Sequence, residues 1–99
     1  MRAILMLGMD DHTTLQHLEE LAVRLGIKVL YESLTAESSS RTWGYCRING
    51  EDYLIINKRT SIKERIHILI DAVKRFDLSE IYIMPALRKI LDNQRDRKY

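Results

Sequence analysis

A single cysteine, Cys46, excludes an internal disulfide and any zinc site built from several thiolates. The four glycines, Gly8, Gly26, Gly44 and Gly50, are scattered, so no glycine-rich loop is available to cradle phosphates. That argues against nucleotide chemistry of the Walker or dinucleotide-fold kind. Long apolar runs are missing as well. The run Ala3-Ile4-Leu5-Met6-Leu7 is shorter than the apolar core of a signal peptide and far shorter than a membrane span, and the chain turns acidic at Asp10-Asp11. Charge of one sign is also lacking. Sixteen Lys and Arg against fourteen Asp and Glu leave a net +2, too little to demand a nucleic acid or a membrane as partner. An unpaired thiol without an export signal implies a reducing, cytoplasmic setting.

What remains is a chain of 99 residues, 45% hydrophobic, enough for one modest core. Residues 1–99 read as a single domain. Residues 1–9 are either an ordered strand or a loose leader, and residues 93–99 carry no apolar stripe and are expected to fray.

Leu15, Leu18, Ala22 and Leu25 follow the spacing of one helical face, which predicts a helix from Thr13 to Leu25. Thr13 is its expected N-cap, and Gly26 suits a left-handed residue just past its end. Ile27–Glu32 alternates as a strand, with Ile27, Val29 and Tyr31 on one face and Lys28, Leu30 and Glu32 on the other.

Trp43–Ile48, then Asn49-Gly50, then Glu51–Ile56 is the pattern of a β-hairpin closed by a type I′ turn. A two-residue loop fixes the register, setting Ile48 against Glu51, Arg47 against Asp52, Cys46 against Tyr53 and Tyr45 against Leu54. Ser61-Ile62-Lys63-Glu64 is a capping box. Ile62, Ile66, Leu69, Ile70, Val73 and Phe76 then form a stripe that predicts a four-turn helix. Glu80–Met84 reads as a short extended piece, because Pro85 disfavours the helical region at Met84. Pro85 itself suits the first turn of a third helix that runs to Asp92. The fold class is therefore α+β, a small and largely antiparallel sheet packed against two or three helices.

Chemistry-bearing groups are sparse. Glu64, His67 and Asp71 lie at helical spacing and could face one way, but a zinc site needs at least three protein ligands and no further donor is evident. Cys46 sits in a strand with no local base or helix N-terminus to activate it. Ser38, Ser39 and Ser40 lack the sharp turn that presents a nucleophile. The pattern therefore names no catalytic, metal or cofactor-binding residue.

Basic residues gather in 58–75, at Lys58, Arg59, Lys63, Arg65, Lys74 and Arg75, with Glu64 and Asp71 as the acidic groups there. With Trp43 and Tyr45 they would allow phosphate contacts and base stacking, although helical periodicity scatters them. The hairpin is apolar on both sides: Trp43, Tyr45, Leu54 and Ile56 on one, Cys46, Ile48, Tyr53 and Ile55 on the other. Few helices are available to cover both, so Trp43, Tyr45, Cys46 and Tyr53 are the expected partner surface, for a second copy of the chain or another protein, through a face or the hairpin edge.

Residues 15–76 resemble the N-terminal part of the ImmA/IrrE-type zinc metallopeptidases. The matching stretches are Leu25-Gly26-Ile27-Lys28-Val29, Gly44-Tyr45-Cys46, Ile55-Ile56-Asn57 and Ser61 through Leu69. The family carries H-E-x-x-H on the corresponding helix, two zinc-binding histidines with a glutamate base between them. With Leu69 in register, Asp71-Ala72-Val73-Lys74-Arg75 stands there. Moving the register to His67 leaves Ile68 in the position of the base. The resemblance thus implies a reduced, catalytically degenerate relative of a zincin-like scaffold, without a cofactor. Because the family includes regulators of repressors, it also implies a regulatory role. The expected function is a non-enzymatic interaction or regulatory module. A nucleic-acid-associated module using residues 58–75, and a metal-dependent hydrolase using the Glu64–His67–Asp71 strip, are the alternatives.

Overall fold

The computed structural model describes residues 9–33 and 43–93. One helix, three consecutive strands and two further helices follow in order: α1 (Asp11–Arg24), β1 (Ile27–Glu32), β2 (Trp43–Ile48), β3 (Glu51–Asn57), α2 (Ile62–Val73) and α3 (Pro85–Asn93). The expected α+β class holds. The leader read at 1–9 and the tail read at 93–99 fall mainly outside the described residues. Met9 packs against the core, and Asn93 closes α3.

α1 begins two residues earlier than its apolar spacing suggests. Asp10, not Thr13, is the N-cap, and its carboxylate accepts a hydrogen bond from the Thr13 amide at 2.8 Å. That hydrogen bond holds the Asp10 carboxyl below its usual pKa. Asp10 and Asp11 both offer an acceptor upstream of the stripe, and capping at Asp10 adds helix without displacing any core residue. Gly26, at φ 87°, ends the helix as expected.

The hairpin has the register that its turn dictates. Asn49 and Gly50 take φ of 53° and 81°, and β2 pairs with β3 from Ile48–Glu51 to Trp43–Ile56. β3 lies in the middle of the sheet, in the order β1-β3-β2, and β1 joins it in parallel, from Ile27–Asp52 to Glu32–Asn57. The central place suits Tyr53-Leu54-Ile55-Ile56, which is apolar on both faces. Glu80–Met84 does not join the sheet. It passes through turns, with Ile83 buried, and the Arg24 and Arg88 guanidinium groups donate to the carbonyls of Tyr82, Leu78 and Ile81.

α2 carries its capping box as expected. Ser61 Oγ accepts from the Glu64 amide at 3.1 Å, and the Glu64 carboxylate accepts from the Ser61 amide at 2.8 Å. The helix stops at Val73, so Phe76 lies past its end, yet it still packs against the core. Ile68, off the expected stripe, is buried with Ile66, Leu69, Ile70, Ala72 and Val73. These residues meet Leu18, Leu21 and Ala22 of α1, Leu54 and Ile56 of β3, and Leu87 and Leu91 of α3 in one core. Among the described residues, the sheet therefore has a covered inner face, carrying Ile27, Leu54 and Ile56, and an outer face that contributes nothing to that core.

Candidate functional site

Strand alternation decides where each expected partner residue points. Trp43 and Tyr45 share the inner face with Leu54 and Ile56, whereas Cys46 and Tyr53 lie opposite each other on the outer face. The four residues therefore form two sites. All four are half-buried.

At the inner site, Arg75 comes over both rings, 4.8 Å from the Tyr45 centroid and 6.0 Å from that of Trp43, within cation–π range. Tyr45 donates its phenolic hydrogen bond to Asp52 Oδ2 at 3.0 Å, and Arg47 approaches the other oxygen of that carboxylate at 3.7 Å. Burial, reinforced by the bond to Asp52, raises the Tyr45 pKa, so the phenol stays a neutral donor. Lying past the end of α2, Arg75 could not be matched to these rings from helical periodicity. Only the chain path brings it there.

At the outer site, register builds two rows across the sheet. Leu30, Ile55 and Gly44 form one, and Lys28, Tyr53 and Cys46 form the other. Ile48 stands at the turn end and is 49% exposed, and Leu30 is 38% exposed, both high for side chains in a sheet. Lys28 Nζ bonds Glu51 at 3.1 Å, which raises the Lys28 pKa and keeps its ammonium charged. Tyr53 donates to the same carboxylate at 3.4 Å. The result is an apolar centre with a charged margin. Ile48 and Ile55, on the same hairpin face as the expected Cys46 and Tyr53, belong to this surface, and so does Leu30, which the period-2 alternation of β1 signalled.

The basic residues of 58–75 do not line one surface. Arg65 lies 4.5 Å over the Tyr31 ring and donates to Thr60 Oγ1 and the Lys58 carbonyl, and Lys63 pairs with Asp11 at 3.2 Å. The Glu64–His67–Asp71 strip is divided as well. Glu64 serves the capping box, and His67 lines a small hollow with Asp11 and Lys63, whose ammonium repels a metal ion. Among the described residues, no three His, Cys, Asp or Glu side chains gather as a metal site. A groove of about 220 Å³ runs between α1 and the segment before α3, with Leu21, Ile83 and Leu87 as its floor and His17, Glu20 and Arg24 along its rim.

No helix among the described residues is long and apolar enough to cross a membrane. No protein-family model, curated protein or solved structure matches the chain.

Proposed function

We infer that the chain is a non-catalytic interaction module that binds a protein partner across the outer face of its sheet. One observation carries this reading. The core gathers side chains from all three helices and from the inner face, while Leu30, Ile48, Tyr53 and Ile55 on the outer face stay outside it. An apolar patch within a charged margin is the usual make-up of a partner surface. Lys28, Glu32 and Glu51 supply that margin.

The α2 sequence supports the absence of hydrolysis. Where the zincin-like resemblance would place a general base and its neighbour, Ala72 and Val73 are fully buried, and Arg75, at the position of the second histidine, lies beyond the helix end. In the alternative register the base position falls on buried Ile68. By analogy the module is regulatory and works in a reducing cytoplasm, where Cys46 stays a thiol.

The test is matched capture from the native source, with the native chain and an Ile55→Glu variant of equal circular dichroism as baits. The reading expects a protein held by the native chain and lost from the variant. Identical capture by the two baits would overturn it.

A further inference from the structure

The outer face is not the only unfinished part of the sheet. β2 is an edge strand, and among the described residues nothing pairs with its far side. The turn determines which groups that side offers. In a two-residue hairpin loop the Ile48 carbonyl accepts from the Glu51 amide, so Ile48 and Glu51 are a hydrogen-bonded pair. Alternation makes Cys46–Tyr53 and Gly44–Ile55 the next such pairs. The backbone N–H and C=O groups of Trp43, Tyr45 and Arg47 therefore point outward.

This edge has few of the devices that block strand addition. It has no proline, and its register against β3 runs one-to-one without a bulge. Arg47 is its single charged residue, drawn toward Asp52 at 3.7 Å. The opposite edge, β1, carries charges at Lys28 and Glu32 and packs beside α1.

We propose that a second copy of this chain adds to the β2 edge in antiparallel fashion, about a two-fold axis at Tyr45, so that the two sheets become one. Chemistry selects this centre. With Tyr45 opposite the partner's Tyr45, Trp43 falls opposite the partner's Arg47 and Arg47 opposite the partner's Trp43. All three outward-pointing residues then lie in hydrogen-bonded pairs, and among the described residues of the strand any other two-fold centre leaves some of those groups without a partner. Each Arg47 faces an indole on the same face of the sheet, a favourable cation–π pair, and the two Arg47 charges stay apart. On the other face Cys46 comes opposite the partner's Gly44, where the missing side chain leaves it room. The contact is isologous and closed, so it ends at a dimer. It also makes the two outer faces continuous, enlarging the partner surface inferred above, although the pairing itself does not depend on that reading.

The experiment combines sedimentation of the full chain with a cross-link. The native chain is expected to sediment at twice its 11.7 kDa at high micromolar concentration. Arg47→Pro removes an outward N–H that bonds nothing in β3 and should return the chain to monomer, while Ile55→Glu on the outer face should leave the dimer intact. Gly44→Cys provides a readout that does not depend on the proline variant folding. A Cβ at position 44 meets no atom within 4 Å, so the fold tolerates it. Mild oxidation should then join the introduced thiol to the partner's Cys46 in a covalent dimer, assigned by peptide mapping. A native chain that stays monomeric would overturn the proposal while leaving the partner-face reading untouched. A dimer that survives Arg47→Pro but dissociates with Ile55→Glu, or one that yields no 44–46 cross-link, would overturn it by moving the contact elsewhere.

Discussion

Tyr31 shows how one residue ties three elements together. It is the last inward-facing residue of β1, its hydroxyl donates to Glu19 of α1, and the Arg65 guanidinium of α2 covers its ring. Burial is the largest cause of its raised pKa, followed by the hydrogen bond to Glu19. A phenol whose folded pKa is raised contributes stability that is fully present below the unfolded value of about 10 and is lost as pH climbs through the higher folded value. Tyr31→Phe should therefore cost about 1 kcal/mol at neutral pH, and the gap between variant and native chain should narrow in alkali. Urea unfolding followed by circular dichroism on both sides of about pH 10 checks the size and the sign together. The inward direction of Tyr31 was legible from the alternation of Ile27, Val29 and Tyr31. Its partners were not, because Glu19 and Arg65 reach it only through tertiary packing. The same holds for Trp43 and Tyr45. Their shared face with Leu54 and Ile56 was readable from the hairpin register, but the Arg75 that lies over them was not.

Among the elements, the most legible were those whose signals are local. Asn49-Gly50 set the hairpin register because a two-residue loop allows one pairing, and Ser61 with Glu64 fixed the start of α2 because both caps lie within four residues. The left-handed turn yields a matched test. Gly50 has φ 81° and Gly44 has ordinary strand geometry, and a Cβ added at either meets nothing within 4 Å. Gly50→Ala should thus destabilise by about 1 kcal/mol through backbone strain alone, while Gly44→Ala should be near neutral in the monomer. Ser61→Ala removes an acceptor from the α2 N-terminus and should cost about 1 kcal/mol. Chemical denaturation of the three variants side by side separates turn strain from cap loss. Signals shared by several residues were harder to read. Asp10, Asp11 and Thr13 can all cap a helix, so the start of α1 depended on tertiary fit. The parallel seat of β1 beside β3 was not legible either, since no short turn joins those strands and burial of Ile27 against the helices selects the partner.

For the molecule as a whole, the governing feature is that burial is one-sided with respect to the sheet and many-sided with respect to α2. Ile68 lay off the sequence stripe because a stripe anticipates one covered face, and α2 buries more than one. Ile55 and Ile56 test the asymmetry of the sheet with neighbouring residues of one strand. Ile56 is fully buried on the inner face, whereas Ile55 points outward between Leu30 and Gly44 and stays half-exposed. Both belong to β3 and have the same β-propensity, so an alanine at either position loses the same atoms and differs in surroundings. Ile56→Ala opens a cavity in the shared core and should cost about 3 kcal/mol, within the range for core truncations. Ile55→Ala removes apolar surface that folding only partly covers and should cost about 1 kcal/mol, measured in urea at a concentration where the chain is monomeric. Partner capture should order the two variants the other way, with Ile55→Ala the weaker bait and folded Ile56→Ala close to native. Equal stability losses at the two positions would mean that both faces are covered in solution, and the outer face would then have no room for a partner.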